Sequence, residues 1–374
     1  MIGNKLIIGV LRLLSAVQML ISMCGVLAAT TLLGIGIDSD LAPFLALLMA
    51  SVLTILSICV HEGGHYLGAK WSHMTVLAVR IAAVELLPLR RGWRMRWSPR
   101  LKRLNVGGYV MAASDPYRSM RRQTIMFTAM GPVLNLFVGV LCIAAGLLSQ
   151  ESIRMFALAF GASNIAMGIS NLIPTYLGGI SDGAGLIAWC FLKDERTPLL
   201  ANARLLSLSV AGVPSEELPA GDIAQLSSEP MPAPLLAVWY RLNALQSRGD
   251  WHGAVQEGET LHALLETPSQ SPDSMALLIA ILQVELGFSR AMLRREAGEM
   301  RDDLLSDEVD WCCPVLRPRC LALHEILKGN HSAAEQYLDR SLSIARNARD
   351  LSLGKSELKL AAYVRELGSG TVEP

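Results

Sequence analysis

Long apolar runs without charged residues constrain the fold of this chain more than any other feature of its sequence. Residues 42–60, 123–150 and 155–181 carry no charge, and residues 6–34 carry only Arg12. Each run is long enough to cross the hydrocarbon core of a bilayer as a helix, which takes about 20 residues. The sequence therefore predicts four membrane-spanning helices in the first half of the chain.

The composition agrees with a membrane protein whose apolar residues are concentrated in one half. Of the 374 residues 52% are hydrophobic, while 33 basic residues balance 33 acidic ones, which is too apolar for an ordinary soluble protein. Beyond Lys193 the chain becomes charged and helix-patterned. We expect a mainly α protein, in which a polytopic membrane helix bundle is followed by a soluble C-terminal α-helical domain.

The first apolar run has two interpretations. Lys5 precedes its apolar core, as in a signal peptide. The core is longer than that of a typical cleavable signal, and a membrane bundle follows it. We therefore predict a retained extra transmembrane helix in residues 1–40, with the signal peptide as the alternative.

The loop between the second and third apolar runs sets the predicted orientation. Residues 70–122 contain twelve basic residues and two acids, Glu85 and Asp115. By the positive-inside rule this loop is cytoplasmic, and four spans then place both chain termini on the same side. A basic loop is also typical of nucleic-acid binding, but its position between two spans favours lipid headgroups, so we expect no nucleic-acid partner. We expect a bacterial inner membrane as the location.

The stretch HEGGH, residues 61–65, places ionisable side chains at the end of an apolar run. Residues i and i+4 share a helix face, so His61 and His65 present two imidazole nitrogens to one ion. Glu62 then reaches a water on that ion and fits a general base. Zinc suits this arrangement because it keeps a position for water beside three protein ligands. The alternative is a pair of hydrogen-bonded core histidines, but ionisable residues within a span are usually functional.

Two acids are candidates for the third protein ligand. Glu85 lies twenty residues after His65, a spacing seen in soluble zinc peptidases, but its surroundings are typical of extended chain. Asp182 stands at the end of the fourth apolar run, and we favour it. Between the histidines, Gly63 and Gly64 weaken a helix in water, yet within a membrane they permit close approach of a neighbouring backbone.

Four motifs follow one another in an order typical of a known family. They are HEGGH (61–65), NVGGYV (105–110), MGPVLN (130–135) and NLIPTYLGGISDG (171–183). Together they resemble the site-2 protease family, the intramembrane zinc metalloproteases, over roughly residues 43–192. We accordingly assign residues 41–192 to a protease core, and the resemblance implies a short strand-like membrane-associated hairpin within it.

The resemblance implies a metal site and a catalytic residue. His61, His65 and Asp182 would bind one zinc ion per chain, with Glu62 as the general base. One departure from the family concerns spacing, because Asp182 follows Asn171 by eleven positions, whereas the compact form of the family has eight. The extra residues include two glycines, so we expect a glycine loop that still brings Asp182 to the metal.

The resemblance also implies substrate-binding residues, which are Asn171, Gly107, Gly108, Tyr109 and Asn135. Asn171, in an Asn-x-x-Pro motif, would hold the substrate backbone or steady the oxyanion. Residues 107–109 would pair as a strand with an unwound substrate, and Asn135 lies on a helix beside the site. The structural alternatives are a simple turn at 107–109 and a kinked span at 130–135.

These observations predict a membrane-embedded zinc endopeptidase that hydrolyses peptide bonds within or near transmembrane segments. Its expected partners are a transmembrane protein or peptide substrate, membrane lipid, and a protein partner or second copy bound through the C-terminal domain. The alternative is a catalytically silent membrane scaffold that recruits partners through that domain. A metal transporter is disfavoured because only one polar cluster interrupts the apolar runs.

The second half of the chain predicts a linker and a helical domain. Residues 193–234 contain six prolines and are predicted as a linker. In residues 235–374, Gly249, Gly287 and Gly329 are spaced by 38 and 42 residues within helical patterns. This spacing is typical of turns between paired helices, so we predict tetratricopeptide-like helical hairpins, with a plain helical bundle as the alternative. No catalytic set of residues is visible there, and we expect binding or regulation.

Overall fold

The computed structural model describes residues 2–37, 39–99, 107–176, 179–266, 272–300 and 302–369. The chain is mainly α, as predicted. It divides into two compact units. Unit 1 comprises Met1–Pro88 and Gly92–Glu195, and unit 2 comprises Leu89–Arg91 and Arg196–Pro374.

Unit 1 consists of helices and one small antiparallel sheet. In chain order its elements are α1 (Ile2–Ile35), α2 (Ala42–Trp71), β1 (Thr75–Ile81), β2 (Val84–Pro88), β3 (Trp93–Trp97), β4 (Gly108–Ala113), α3 (Met120–Leu147), α4 (Glu151–Leu172) and α5 (Asp182–Phe191). Helices α1 to α4 contain stretches long and apolar enough to cross a membrane, which are Ile8–Ile35, Ala42–Trp71, Met120–Leu147 and Ile153–Leu172. Many of their large apolar side chains point outward, as expected where lipid replaces water. The protein is therefore an integral membrane protein.

Glycines set the distance between α2 and α3. A Cβ atom at Gly64 would lie 2.3 Å from the carbonyl oxygen of Met130, and one at Gly68 would lie 2.9 Å from the Cβ of the same residue. A side chain at Gly64 would therefore collide with backbone, which cannot move aside cheaply. This close approach holds α3 against the part of α2 that carries the HEGGH stretch.

The sheet is larger than the predicted hairpin. Its four strands lie in the order β3-β2-β1-β4, with every neighbouring pair antiparallel. One face of the sheet buries Val76 and Val79 against Ala69 and Met74, at and just beyond the C-terminal end of α2. Strand β4 is an edge strand among the described elements, and its first residues lie beside α2.

Unit 2 is helical throughout its described residues. Its helices are α6 (Ala201–Val210), α7 (Ala220–Ser228), α8 (Ala233–Ser247), α9 (Trp251–Glu266), α10 (Pro272–Arg294), α11 (Asp307–Cys312), α12 (Leu316–Leu327), α13 (His331–Asn347) and α14 (Leu351–Ser369). Although α10 is long and apolar enough to span a membrane, more than half of its apolar stretch is buried. Its side chains, including Phe288 and Leu282, belong to the cores of unit 2.

The stretch predicted as a linker contains folded structure. Helices α6 and α7 lie within residues 193–234, and Leu205, Ile223 and Leu226 are buried in a core that also contains Tyr240 from α8. Several prolines stand where a helix begins rather than where one is broken. Pro219 is the N-cap of α7, and Pro234 lies in the first turn of α8. A proline is tolerated there because the amide group that it lacks would have no partner within the helix.

Two of the three glycines predicted at turns lie in turns between helices. Gly249 separates α8 from α9 and Gly329 separates α12 from α13, with φ angles of +74° and +80°. These angles favour glycine because a Cβ atom strains the left-handed conformation. The prediction for Gly287 is wrong, because this residue lies inside α10, where a Cβ atom would meet the carbonyl oxygen of Glu299 at 3.1 Å. Gly287 is therefore explained by its close packing against the backbone of Glu299 and not by a turn.

Candidate metal centre

Helix α2 places three ionisable side chains within the membrane-spanning part of unit 1. His61 and His65 lie one helical turn apart and share a face, and Glu62 follows the first histidine. All three residues are buried. The helix continues through both glycines between the histidines, because α3 packs against it at Gly64.

Asp182 reaches the same place as the first residue of α5. Ser181 is the N-cap of this helix, and its hydroxyl group accepts a hydrogen bond from the amide of Ala184 and donates one to the carbonyl of Ile173. A Cβ atom at Gly183 would lie 1.9 Å from the carbonyl oxygen of Leu172. Helix α5 can therefore start directly against the end of α4, which points Asp182 towards α2.

The three side chains meet at one point. The Nε2 atom of His61 lies 3.0 Å from Oδ2 of Asp182, and the Nε2 atom of His65 lies 3.4 Å from Oδ1. The two Nε2 atoms are 3.2 Å apart. One ligand atom from each residue lies within 4.8 Å of the other two, which is the spacing of donors around a single ion.

Asn135 fixes the proton position on the ring of His61. Its side-chain nitrogen donates to the carbonyl of Ser57 at 3.0 Å and to Oδ1 of Asn164 at 2.8 Å. These two acceptors settle which end of the amide is oxygen. The Oδ1 atom of Asn135 therefore accepts from Nδ1 of His61, at 2.6 Å. With its proton on Nδ1, the neutral ring has a free electron pair on Nε2.

The ring of His65 is held in the same way. Its Nδ1 atom lies 2.9 Å from the carbonyl oxygen of Phe127, which can only accept, so Nδ1 carries the proton. A Cβ atom at position 131 would lie 2.5 Å from Nε2 of His65, so only Gly131 leaves room for this ring. With Nδ1 protonated, the neutral form of each ring directs its Nε2 electron pair towards the carboxylate of Asp182.

This donor set fits a metal ion. Two neutral imidazole nitrogens and a carboxylate converge, and the Oδ2 atom of Asp182 is buried without a hydrogen-bond donor. Electron pairs that face one another at these distances repel unless a cation lies among them. Two histidines and one carboxylate form a ligand set typical of catalytic zinc, whose fourth position stays open.

Glu62 lies beside the three ligands and against β4. Its Oε2 atom is buried and has no hydrogen-bond partner among the described residues. A Cβ atom at Gly108 would lie 2.7 Å from both Cγ and Oε1 of Glu62. The missing side chain at Gly108 therefore leaves the space that the glutamate occupies, so a larger residue would displace the carboxylate.

A cavity of about 580 Å³ opens onto these residues. It unites eight of the nine side chains and backbone positions predicted for the site, which are His61, Glu62, His65, Gly107, Gly108, Tyr109, Asn171 and Asp182. The amide nitrogen of the Asn171 side chain donates to the carbonyl of Met167 at 3.1 Å. Leu177 and Gly178, in the lengthened loop before Asp182, lie outside the described residues, as do Asn105 and Val106 of the NVGGYV motif.

Two further candidate residues, Asn135 and Glu85, do not line this cavity. Asn135, predicted to bind substrate, is fully buried behind His61, does not line the cavity and uses its amide to orient the ring. Glu85, the other candidate ligand, forms ion pairs with Arg80 at 3.0 Å and Arg96 at 2.6 Å. Both of its oxygens are thereby occupied, so it is not available to the metal centre.

Sequence reasoning missed the supporting residues of the site. Phe127 acts through its backbone carbonyl, which leaves no signal in the sequence, and Ser181 acts as a helix cap. A serine immediately before Asp-Gly at the start of an apolar helix was a usable capping signal. Gly131 belongs to the MGPVLN motif, but its contact with His65 becomes visible only when α3 is packed on α2.

Comparison with known proteins agrees with this geometry. The model of peptidase family M50 matches residues 49–186, a segment that contains most of α2, the sheet, α3, α4 and the beginning of α5. All three converging ligands and Glu62 lie inside the match. No curated protein matches the chain, and no solved structure does. Residues 49–186 are therefore similar to peptidase family M50, the site-2 protease family.

Proposed function

We propose that the protein is a zinc endopeptidase that cleaves peptide bonds within or near the transmembrane segments of membrane proteins. The observation that carries this proposal is the convergence of two histidine Nε2 atoms and one carboxylate beside an unpartnered glutamate oxygen. His61, His65 and Asp182 would hold the zinc ion. When bound, zinc supplies a polarised water and a Lewis acid for the substrate carbonyl.

Glu62 performs the proton transfers in this proposal. Its carboxylate accepts a proton from the attacking water as the water oxygen bonds to the carbonyl carbon of the substrate. The same carboxyl group then gives the proton to the amide nitrogen as the carbon–nitrogen bond breaks. Products are a new carboxylate and a free amine. Asn171, on the wall of the cavity, is placed to hold the substrate backbone during these steps.

Strand β4 is suited to hold the substrate in an extended form. Ala82 donates to the carbonyl of Gly107 at 2.8 Å, and bonded pairs alternate along an antiparallel ladder. The backbone groups of Gly108 and Val110 therefore point away from β1, towards the open edge of the sheet. A substrate strand added there would run beside Glu62, because Gly108 contacts that side chain. Unwinding exposes the peptide bond that a membrane helix hides.

Location and partners complete the proposal. The basic residues between α2 and α3 favour a cytoplasmic position for that loop, and with four spans for both termini. We propose the bacterial inner membrane as the location, transmembrane proteins as substrates, and lipid as the surrounding partner. Unit 2 would bind a protein partner or a second copy of the chain.

The decisive variant is Glu62→Gln. It keeps the size of the side chain and removes the base, so cleavage of a transmembrane substrate should fall by at least about 100-fold while bound zinc remains at one ion per chain. Purified protein in detergent with a single-span model substrate provides both measurements. Glu217→Gln, at an exposed position in unit 2, is the matched control and should keep wild-type activity. Cleavage by Glu62→Gln at the wild-type rate would refute the role of Glu62.

Removal of a ligand separates the protease from the catalytically silent scaffold. Asp182→Ala deletes the carboxylate that faces both histidines, so both bound zinc and cleavage should be lost together. Metal analysis of the purified variant beside the wild type measures this. A wild-type protein that holds no zinc, and whose behaviour is unchanged by Asp182→Ala, would favour the scaffold.

A further inference from the structure

A second cavity lies inside unit 1, away from the metal ligands. It has a volume of about 480 Å³ and lies among α1, α2 and α4. We call it the α1–α4 groove, and it is lined by Ser15, Gln18, Met19, Ser22, Gly25, Val26, Thr54, Ser163, Ala166, Met167, Ser170 and Asn171. Among the described residues no charged side chain lines it, so its occupant is uncharged where it contacts the groove.

The groove joins the catalytic cavity. Gln18, Met167 and Asn171 line both spaces. At this junction the Oε1 atom of Gln18 accepts a hydrogen bond from the hydroxyl group of Thr175, at 2.8 Å. A chain bound in the catalytic cavity can therefore continue into the groove past Gln18.

The groove runs along the helices into the bilayer. On α2 it reaches Thr54, seven residues before His61, which corresponds to about 10 Å along a helix. On α1 its residues recur at intervals of three and four, from Ser15 through Gln18 to Ser22, and so form one face. The groove is thus parallel to a membrane-spanning helix and extends from the level of the metal ligands towards the opposite membrane surface.

Unpartnered hydroxyl groups mark the groove as a binding surface. The side-chain oxygens of Ser15 and Ser163 are buried without a hydrogen-bond partner among the described residues. Ser163 is only 7% exposed. In hydrocarbon a buried polar group without a partner is costly, and acyl chains offer neither donor nor acceptor. The floor is narrow, since a Cβ atom at Gly25 would lie 2.3 Å from the Cβ atom of Ala166.

We propose that the α1–α4 groove binds the still-helical remainder of the substrate's transmembrane segment, while β4 holds the unwound part. The proposal rests on the protease function above. A helix with small or hydroxyl-bearing residues on one face can approach such a groove closely and supply hydrogen bonds to it. The groove would then select substrates by the side chains that lie several residues from the bond that is cut.

Two neighbouring tryptophan substitutions test the groove without touching the metal centre. Ser22 lies in the groove, whereas Met23, at the same depth and 60% exposed, does not line it. The measured quantity is kcat/KM for a full transmembrane substrate divided by that for a short peptide that spans only the cleaved bond. Ser22→Trp should lower this ratio by about tenfold or more, and Met23→Trp should leave it within about twofold. An unchanged ratio in Ser22→Trp would overturn the proposal.

Crosslinking distinguishes failure of the groove from failure of the protease. A photoreactive amino acid at Met19, which lines the groove, is compared with one at Leu20, which does not, in the Glu62→Gln protein; both positions are exposed. The probe is the same single-span substrate in lipid vesicles. Crosslinks to the substrate from Met19 and not from Leu20 support the groove, even if no cleavage is detected in the wild type. Crosslinks to lipid alone, or equal crosslinks from both positions, would overturn it.

Discussion

Both units of the protein bury a cluster of ionisable side chains, but the two clusters are balanced in different ways. In unit 1, His61, His65 and Asp182 direct electron pairs at one point. In unit 2, the Arg319 cluster consists of Arg319, Glu285, Glu357, Gln246 and Ser341, from five different helices. Each member of that cluster is at most 2% exposed. Burial alone therefore does not distinguish a functional site from a structural one.

The Arg319 cluster contains its own counterion. Arg319 donates to Glu357 at 2.6 Å and to Glu285 at 2.5 Å, and Ser341 donates to the second oxygen of Glu357 at 2.7 Å. The guanidinium group also stacks over the ring of Phe288. Burial would lower the pKa of Arg319, but the two carboxylates outweigh it and raise that pKa. The two carboxylates thus have a cation between them, although Nε of Arg319 and Oε1 of Gln246 are buried without a hydrogen-bond partner among the described residues.

The metal cluster has no such internal cation. In the neutral form of both rings, the proton on Nδ1 is directed outward, to Asn135 and to the carbonyl of Phe127, and the inner face then has no donor. The Arg319 cluster has a cation between its buried carboxylates, whereas the described neighbours of the Asp182 carboxylate are histidine rings, so a bound cation would stabilise the Asp182 carboxylate. The difference teaches that the arrangement of donors and acceptors, more than burial, distinguishes the candidate metal centre from the Arg319 cluster.

The largest effect is expected where the internal counterion is removed. Arg319→Met should leave two buried carboxylates unpaired and lower the stability of unit 2 by about 3–5 kcal/mol. Bound zinc should stay at the wild-type level, because the change touches no metal ligand. Hydrogen exchange of the α12 and α14 amides in the detergent-solubilised chain measures the loss.

A matched substitution shows whether the counterion role causes that loss. Arg365→Met breaks an exposed ion pair with Glu335, whose charges are 2.8 Å apart. Such pairs are worth less than about 1 kcal/mol because water screens them. Equal protection of the α12 amides in both variants would contradict the view that Arg319 neutralises the cluster.

A smaller effect is expected from the residue that orients His61. Asn135→Ala removes the acceptor for Nδ1, so the ring is free to turn or to carry its proton on Nε2. Loss of such a partner typically weakens metal affinity by about 10- to 100-fold. Competition between the purified protein and a zinc chelator measures this affinity. Asn243→Ala in α8, whose side chain bonds only within its own helix, should leave the affinity unchanged.

The convergence of His61, His65 and Asp182 could be predicted from the sequence, while the contact of Asn135 with His61 could not. His61 and His65 are local to one helix, and Asp182 was one of few acids near the apolar runs. The bond from Asn135 to His61 joins residues 74 positions apart, and it depends on how α3 packs on α2. The position of Asn135 within an apolar run indicated that it lies near the site. It did not indicate whether its side chain faces the substrate or a histidine of the metal centre.

The structure differs from the sequence-based prediction in two further places, and each difference has a local physical cause. The prolines in residues 193–234 suggested breaks, but several of them begin helices, where proline causes no loss of hydrogen bonding. The sequence predicted only a strand-like hairpin at residues 107–109, whereas the sheet has four strands. The alternation of Trp93, Met95 and Trp97 with two arginines has the period of a strand, and β3 occupies that stretch.

The smallest expected effect is on the pH dependence of the stability of unit 2, and it depends on Glu357. Burial raises the pKa of Glu357 above its ordinary value, although Arg319 and Ser341 oppose the shift. A raised pKa in the folded state contributes stability below the unfolded pKa, and this contribution is lost as the pH rises through the folded value. Wild-type unit 2 should therefore lose stability with rising pH relative to Glu357→Gln, by at most about 1.4 kcal/mol per pH unit.

The contribution of Glu335 to stability has the opposite pH dependence from that of Glu357. Hydrogen bonds from Arg365 lower the pKa of Glu335, so its contribution is present above the unfolded pKa and is lost as the pH falls. Hydrogen exchange of the α14 amides across the range from acid to neutral pH, with rates corrected for intrinsic exchange, tests both variants. The stability of Glu357→Gln relative to the wild type should increase towards neutral pH. The stability of Glu335→Gln relative to the wild type should increase towards acid pH. If both differences had the same sign, the raised pKa of Glu357 would be refuted.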